Sequence, residues 1–120
     1  MTILIIDDDA ILLNVVSKFL LKRGYEVYTS NTAVDIFSLI EKYSPDILVI
    51  DHRMPTVSGF DAITQLKSST LYQSIPIIFF SSDHNLPELA SDAGADRFVF
   101  KSDGFEKLHS TVLELAGEPE

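Results

Sequence analysis

The sequence contains no cysteine, which excludes disulfides, thiolate metal sites and cysteine nucleophiles. Positive charge is scarce as well. Nine Lys and Arg residues face eighteen acids, and the net charge of −9 makes direct nucleic-acid binding unfavourable. Long hydrophobic runs are missing, so no segment is expected to span a bilayer. The start, Met1-Thr2-Ile3-Leu4-Ile5-Ile6-Asp7, has no basic residue, and its apolar run is too short for a secretory signal. Cytoplasm is therefore the expected compartment. No linker, low-complexity tract or repeat interrupts the 120 residues, so residues 1–120 read as one domain. With 46% hydrophobic and 22% charged residues, the chain can bury a core, which argues against disorder.

What the chain does have is a βα rhythm that recurs five times. Thr2 to Ile6 reads as a strand buried on both faces, and Ala10 to Arg23 as a helix carrying Leu12, Val15, Val16 and Phe19 on one face. Asp9 is placed to cap that helix, and Gly24 to end it. Tyr25 to Thr29 alternates more, as a strand near an edge does. Ala33 to Tyr43 forms the next helix, stopped at Ser44-Pro45 because a residue before proline avoids helical dihedrals. Ile47 to Ile50, Ile75 to Phe80 and Phe98 to Phe100 complete the strands. Helices are expected near Gly59 to Lys67 and Leu86 to Ala93, and a last one carries Phe105, Leu108, Val112 and Leu115. Alternating elements of this kind predict an α/β fold, a five-stranded, doubly wound parallel sheet of flavodoxin-like order 2-1-3-4-5.

In such sheets ligands bind beyond the carboxyl ends of the strands, where the winding reverses. Asp7 and Asp8 follow the first strand, Asp51 the third, Ser81 the fourth and Lys101 the fifth. Each alone has an ordinary reading, as a helix cap, a turn residue or a surface lysine. Their joint placement on four strand ends is what points to chemistry. Three converging carboxylates repel unless protonated or bridged by a cation, and all-oxygen ligands favour Mg²⁺ before Ca²⁺. A carboxylate can attack phosphorus, while a lysine, a hydroxyl and a metal neutralise the transferred group.

The segments Ile3-Leu4-Ile5-Ile6-Asp7-Asp8-Asp9, Pro45 to Pro55 with Gly59, and Ala93-Gly94-Ala95-Asp96 with Lys101 resemble bacterial two-component response-regulator receivers along essentially the whole chain. The resemblance implies that Asp51 is the phosphoacceptor. Mg²⁺ would be ligated by Asp8, Asp51 and the backbone carbonyl of Arg53, with Asp7 acting largely through water. It further implies that Ser81 is the switch hydroxyl, Lys101 the phosphoryl-pairing lysine and Phe98 the switch aromatic. A histidine kinase or histidine phosphotransfer protein would be the donor. The output would be binding of an unidentified protein or domain through the fourth helix, fifth strand and fifth helix, with a phosphorylation-dependent homodimer among its forms. Such a domain is a signalling receiver, catalysing only its own phosphoryl transfer and dephosphorylation.

The chain departs from the family pattern in places. Phe98 stands where tyrosine is frequent and, having no hydroxyl to wet, is expected inward or mixed even without phosphate. Ser102 replaces a usual proline, so the Lys101–Ser102 bond is expected trans. Asp103 and Glu106 are spaced as a capping box for the last helix. Arg53 and Asp83 flank the phosphoryl path, where a salt bridge between them could obstruct attacking water. His52, His84 and His109 read as structural or exposed. An aspartate-nucleophile phosphatase usually carries a second acid two residues on, where this chain has Arg53. An FMN module would want a small, uncharged phosphate loop in place of Asp7-Asp8-Asp9.

Overall fold

The computed structural model describes residues 1–119. Five strands, β1 (Thr2–Ile6), β2 (Glu26–Ser30), β3 (Ile47–Ile50), β4 (Ile77–Ser81) and β5 (Arg97–Phe100), pair in parallel in the order β2-β1-β3-β4-β5. They alternate with α1 (Ala10–Leu21), α2 (Ile36–Tyr43), α3 (Gly59–Lys67) and α4 (Leu86–Ala93), and a 3₁₀ turn, Lys101–Asp103, precedes α5 (Gly104–Ala116). The order is the one the alternation predicts, and β2 lies at an edge as its pattern implies.

The three central strands are apolar in both directions because each serves two cores. Ile3 and Ile5 of β1, Ile47 and Val49 of β3, and Ile78 and Phe80 of β4 face α1 and α5. The residues between them, Leu4, Ile6, Leu48, Ile50, Ile77 and Phe79, face α2, α3 and α4. Alternation across a strand thus sorts one run of Ile, Leu, Val and Phe into two layers.

The α1 face differs from the expected one. Leu13, Val16 and Leu20 are buried, whereas Val15 is exposed. Leu12 and Phe19 lie at the margin of that stripe. Phe19 packs sideways on Phe105, ring centroids 5.6 Å apart, and lies beneath the Arg23 guanidinium at 3.5 Å. The helix ends at Leu21, two residues short of expectation, and Gly24 turns the chain at φ +96°. Ala33 is buried but precedes α2, since Asp35 at φ +58° interrupts any earlier turn. β2 and β4 begin at Glu26 and Ile77, later than predicted. Ile77 starts its strand by donating its N–H to Asp96 Oδ2 at 2.8 Å.

All peptide bonds among the described residues are trans, Lys101–Ser102 included. The predicted capping box does not form: Asp103 makes no side-chain cap, and Glu106 pairs with Arg23 at 2.8 Å instead. The chain enters α5 through Gly104, at φ +87° and ψ 173°, a conformation essentially confined to glycine.

Thr56 is a strained position in the loop between β3 and α3. Its φ of +71° is uncommon for any side chain and worse for a β-branched one. Val57 N–H donates across it to Pro55 O at 2.8 Å, closing a three-residue turn. Thr56→Asn, which tolerates the left-handed region better, is expected to raise the melting temperature by roughly 2–4 °C, equivalent to about 0.5–1 kcal/mol. Thermal unfolding by circular dichroism measures it, and an unchanged or lower midpoint would show that the turn carries no strain.

Candidate functional site

The site lies at the carboxyl ends of β1 and β3, the neighbours between which the winding reverses. Local backbone chemistry sets each acid. Asp9 caps α1, accepting from the N–H of Ile11 at 3.0 Å and of Leu12 at 3.1 Å. Its own N–H donates to Asp7 Oδ1 at 2.9 Å, so the start of α1 also orients Asp7. Asp51 N–H extends the ladder to Ile6 O at 3.0 Å, and Asp51 Oδ1 accepts from His52 N–H at 2.8 Å.

Asp7 and Asp51 are buried and Asp8 is exposed, and one carboxylate oxygen from each lies within 4.8 Å of the others. Lys101 Nζ reaches into the same space, 2.8 Å from Asp7 Oδ2 and 3.1 Å from Asp51 Oδ2. Three carboxylates against one ammonium leave two negative charges uncompensated. The sequence reading gave Lys101 as the lysine that pairs with the phosphoryl group and did not foresee its bond to Asp7, the shorter of the two.

Burial raises the Asp7 pKa above the usual carboxylate value, aided by the charge of Asp51, while Lys101 and the Asp9 N–H pull the other way. For Lys101, burial lowers the pKa, but the hydrogen bond to Asp7 and the charges of Asp51 and Asp7 outweigh it, and the net shift is upward. An acid whose folded pKa is raised adds stability only while protonated. That contribution is complete below the unfolded carboxylate range and lost as pH rises through the raised value. At neutral pH, ionised Asp7 is therefore a cost. Asp7→Asn keeps an acceptor for the Asp9 N–H and is expected to stabilise the metal-free protein at neutral pH. The gain should shrink on acidification. Melting in a chelator across that pH range decides it, and a neutral-pH loss would mean that the Lys101 bond outweighs burial.

Beside the acids is a cavity of about 170 Å³ lined by Asp51, Arg53, Ser81, Ser82, Asp83 and Lys101. Arg53 and Asp83 form the expected salt bridge: Nε and Nη2 donate to Asp83 Oδ1 at 2.9 and 2.8 Å. Ser81 is buried at the end of β4. Its Oγ accepts from Asp83 N–H at 3.3 Å and donates to Asp83 Oδ2 at 3.4 Å. The sequence reading missed this link, although a serine two residues before an aspartate is a turn spacing that could have flagged it.

Phe98 is a correction. The residue is 40% exposed, and its ring stands edge-on to Phe100, centroids 5.8 Å apart. The half-buried Phe100 ring and the adjoining hollow of Pro87, Ala90 and Ser91 give the phenyl an outward seat without any hydroxyl. His52 turns away from the acids as its position after Asp51 implies, edge-on to Phe79 at 5.6 Å. His109 Nε2 lies 3.1 Å from the Tyr25 hydroxyl, and His84 is exposed.

A five-stranded doubly wound sheet with an acidic cluster, a lysine and a serine at its switch point defines a narrow class of protein. The family model described as "Response regulator receiver domain" matches residues 3–113, and the chain belongs to that family, the receiver of two-component signalling proteins. The response regulator MprA of Mycobacterium leprae is 30% identical over 117 residues, covering 96% of this chain and 50% of that protein. The transcriptional regulatory protein KdpE of Mycobacterium tuberculosis is 31% identical, covering 88% of this chain and 46% of that protein. The chain thus spans about half the length of these curated relatives. Among solved structures, a response regulator from Chloroflexus aurantiacus superposes with a TM-score of 0.88 at 25% identity, over 95% of each chain. The response regulator TrrA of Thermotoga maritima, solved in complex with Mg²⁺-BeF, superposes at 0.84 with 26% identity, over 95% of this chain and 97% of that one. No helix among the described residues is long and apolar enough to cross a membrane.

Proposed function

We propose that residues 1–120 form one cytoplasmic receiver that accepts a phosphoryl group on Asp51 from a histidine kinase or histidine phosphotransfer protein. The observation that carries the reading is the convergence of Asp7, Asp8 and Asp51 around Lys101, with Ser81 in the adjoining cavity. An oxygen-only donor set with two uncompensated charges fits a hard divalent cation such as Mg²⁺. Asp8, Asp51 and the backbone carbonyl of Arg53 would hold it, with Asp7 supporting through water. The ion would supply charge neutralisation for the phosphoryl oxygens.

In the transfer a bond forms between an Asp51 carboxylate oxygen and phosphorus as the P–N bond of phosphohistidine breaks. The departing imidazole takes up a proton. Lys101, already 3.1 Å from Asp51, pairs with a phosphoryl oxygen, and Ser81 donates its hydroxyl to another. Movement of Ser81 towards the phosphoryl group vacates space for Phe98, whose outward ring turns in and reshapes the surface of α4, β5 and α5. An output protein or domain, or a second phosphorylated copy in a homodimer, reads that surface. Water later removes the phosphoryl group, and the Arg53–Asp83 bridge across the cavity mouth obstructs its approach.

Mass spectrometry after incubation with acetyl phosphate tests the reading. One phosphoryl group should be gained only with Mg²⁺ present, and none by Asp51→Asn. Equal labelling of Asp51→Asn would sink it.

A further inference from the structure

The two cationic side chains and the buried Ser81 hydroxyl that line the cavity are each engaged by a carboxylate. Lys101 is held by Asp7 and Asp51, and both Arg53 and Ser81 are held by Asp83. Asp83 is the unusual member of this set. Its side chain is 6% exposed, enclosed at the rim of a site that must receive an anion. One oxygen takes two donors from Arg53, the other faces Ser81 Oγ at 3.4 Å, and its N–H fixes the same hydroxyl at 3.3 Å. The Arg53 side chain, by contrast, is 81% exposed.

We infer that Asp83 is a positioning residue that competes with the phosphoryl group for Ser81. The inference rests on the assignment of Asp51 above and goes further. In the resting state the hydroxyl donates to the Asp83 carboxylate, so an anion on Asp51 gains Ser81 only by displacing one negatively charged acceptor with another. Arg53 sets the strength of that hold. While its guanidinium occupies Asp83 Oδ1, the carboxylate is partly neutralised and binds the hydroxyl loosely, as the 3.4 Å separation indicates. Without Arg53, the enclosed carboxylate has only Ser81 and the backbone to satisfy it, and grips harder. The two halves of one salt bridge therefore act on anion binding in opposite directions.

Beryllofluoride with Mg²⁺ is the probe, since it mimics a phosphoryl group and cannot be hydrolysed by the route that Arg53 obstructs. Its dissociation constant is measured by isothermal titration for the wild type, Asp83→Asn, Arg53→Met, Ser81→Ala and the double variant Asp83→Asn/Ser81→Ala. Asp83→Asn is expected to bind roughly threefold more tightly, less than the tenfold of a full hydrogen bond to a charged group because the bond released is long. Arg53→Met is expected to bind more weakly. Most of the Asp83→Asn gain should disappear in the Ser81→Ala background. Mg²⁺ affinity alone should be unchanged by Asp83→Asn, because Asp83 is outside the acidic trio. A gain that survives loss of the Ser81 hydroxyl would reduce Asp83 to a general repulsive charge and overturn the inference, as would equal affinity of Asp83→Asn and wild type. Should Asp83→Asn fail to fold, the sign for Arg53→Met decides, and tighter binding there refutes competition. If the wild type binds Mg²⁺ but no beryllofluoride, the assignment of Asp51 falls and the inference falls with it.

Discussion

Gly59→Ala is expected to destabilise the protein by at least about 3 kcal/mol and to disable the site in whatever fraction still folds. A Cβ added at Gly59 would overlap the Asp51 carbonyl oxygen and come within 2.8 Å of its carbonyl carbon and 3.0 Å of His52 Cα. These are backbone atoms, so no side chain can swing aside to make room. The contact is tight because Gly59 N–H donates to His52 O at 2.8 Å, drawing the first turn of α3 onto the segment that carries Asp51. Relief therefore requires moving the phosphoacceptor's own peptide. Urea unfolding with and without Mg²⁺ measures the loss, and an Ala variant of near wild-type stability would show that the loop has slack.

Lys101→Met should lower metal-free stability at neutral pH by about 2–4 kcal/mol, because it leaves Asp7 and Asp51 enclosed without their shared cation. Methionine preserves most of the apolar stem, so the loss reports charge more than packing. A lysine whose folded pKa is raised contributes stability that is fully present below its unfolded value and lost as pH rises through the folded one. The wild type should accordingly weaken in strongly alkaline solution through this group, and the variant should lack that component. Mg²⁺ should restore part of the loss by taking over neutralisation of the acids. Denaturant curves against pH and Mg²⁺ separate these effects. A variant that melts like the wild type without metal would mean that the acids are already protonated or hydrated.

The strand order and the strand-end residues were legible because apolar runs and the residues just beyond them are local facts. Knowing that β1 and β3 are neighbours is enough to bring Asp7, Asp8 and Asp51 together. Side-chain direction was harder. Val15 fits a helical stripe on paper as well as Leu13 does, and only the seating of α1 against the sheet decides between them. The Asp103–Glu106 spacing allowed a capping box, yet Arg23 arrives from the turn after α1, 83 residues distant in sequence, and takes Glu106. The outward Phe98 depends on Phe100 and on a hollow beside α4, neither of which a residue-by-residue argument for burying a phenyl ring could weigh.

The division of each central strand between two cores bears on how the chain finds its pairing. Where one face of a sheet is wet, a slip by one residue puts apolar side chains into water and is strongly penalised. Here both faces are dry, and Ile3-Leu4-Ile5-Ile6 would bury nearly as well one residue out of step with Ile47-Leu48-Val49-Ile50. Hydrophobicity alone is then a weak guide to alignment. The polar residues at the strand ends supply what it lacks, since a shift would drag Asp7, Asp51 or Ser81 into a core or pull an isoleucine into the acidic cluster. The residues that make the site thus also favour the native register of the strands over a shifted one.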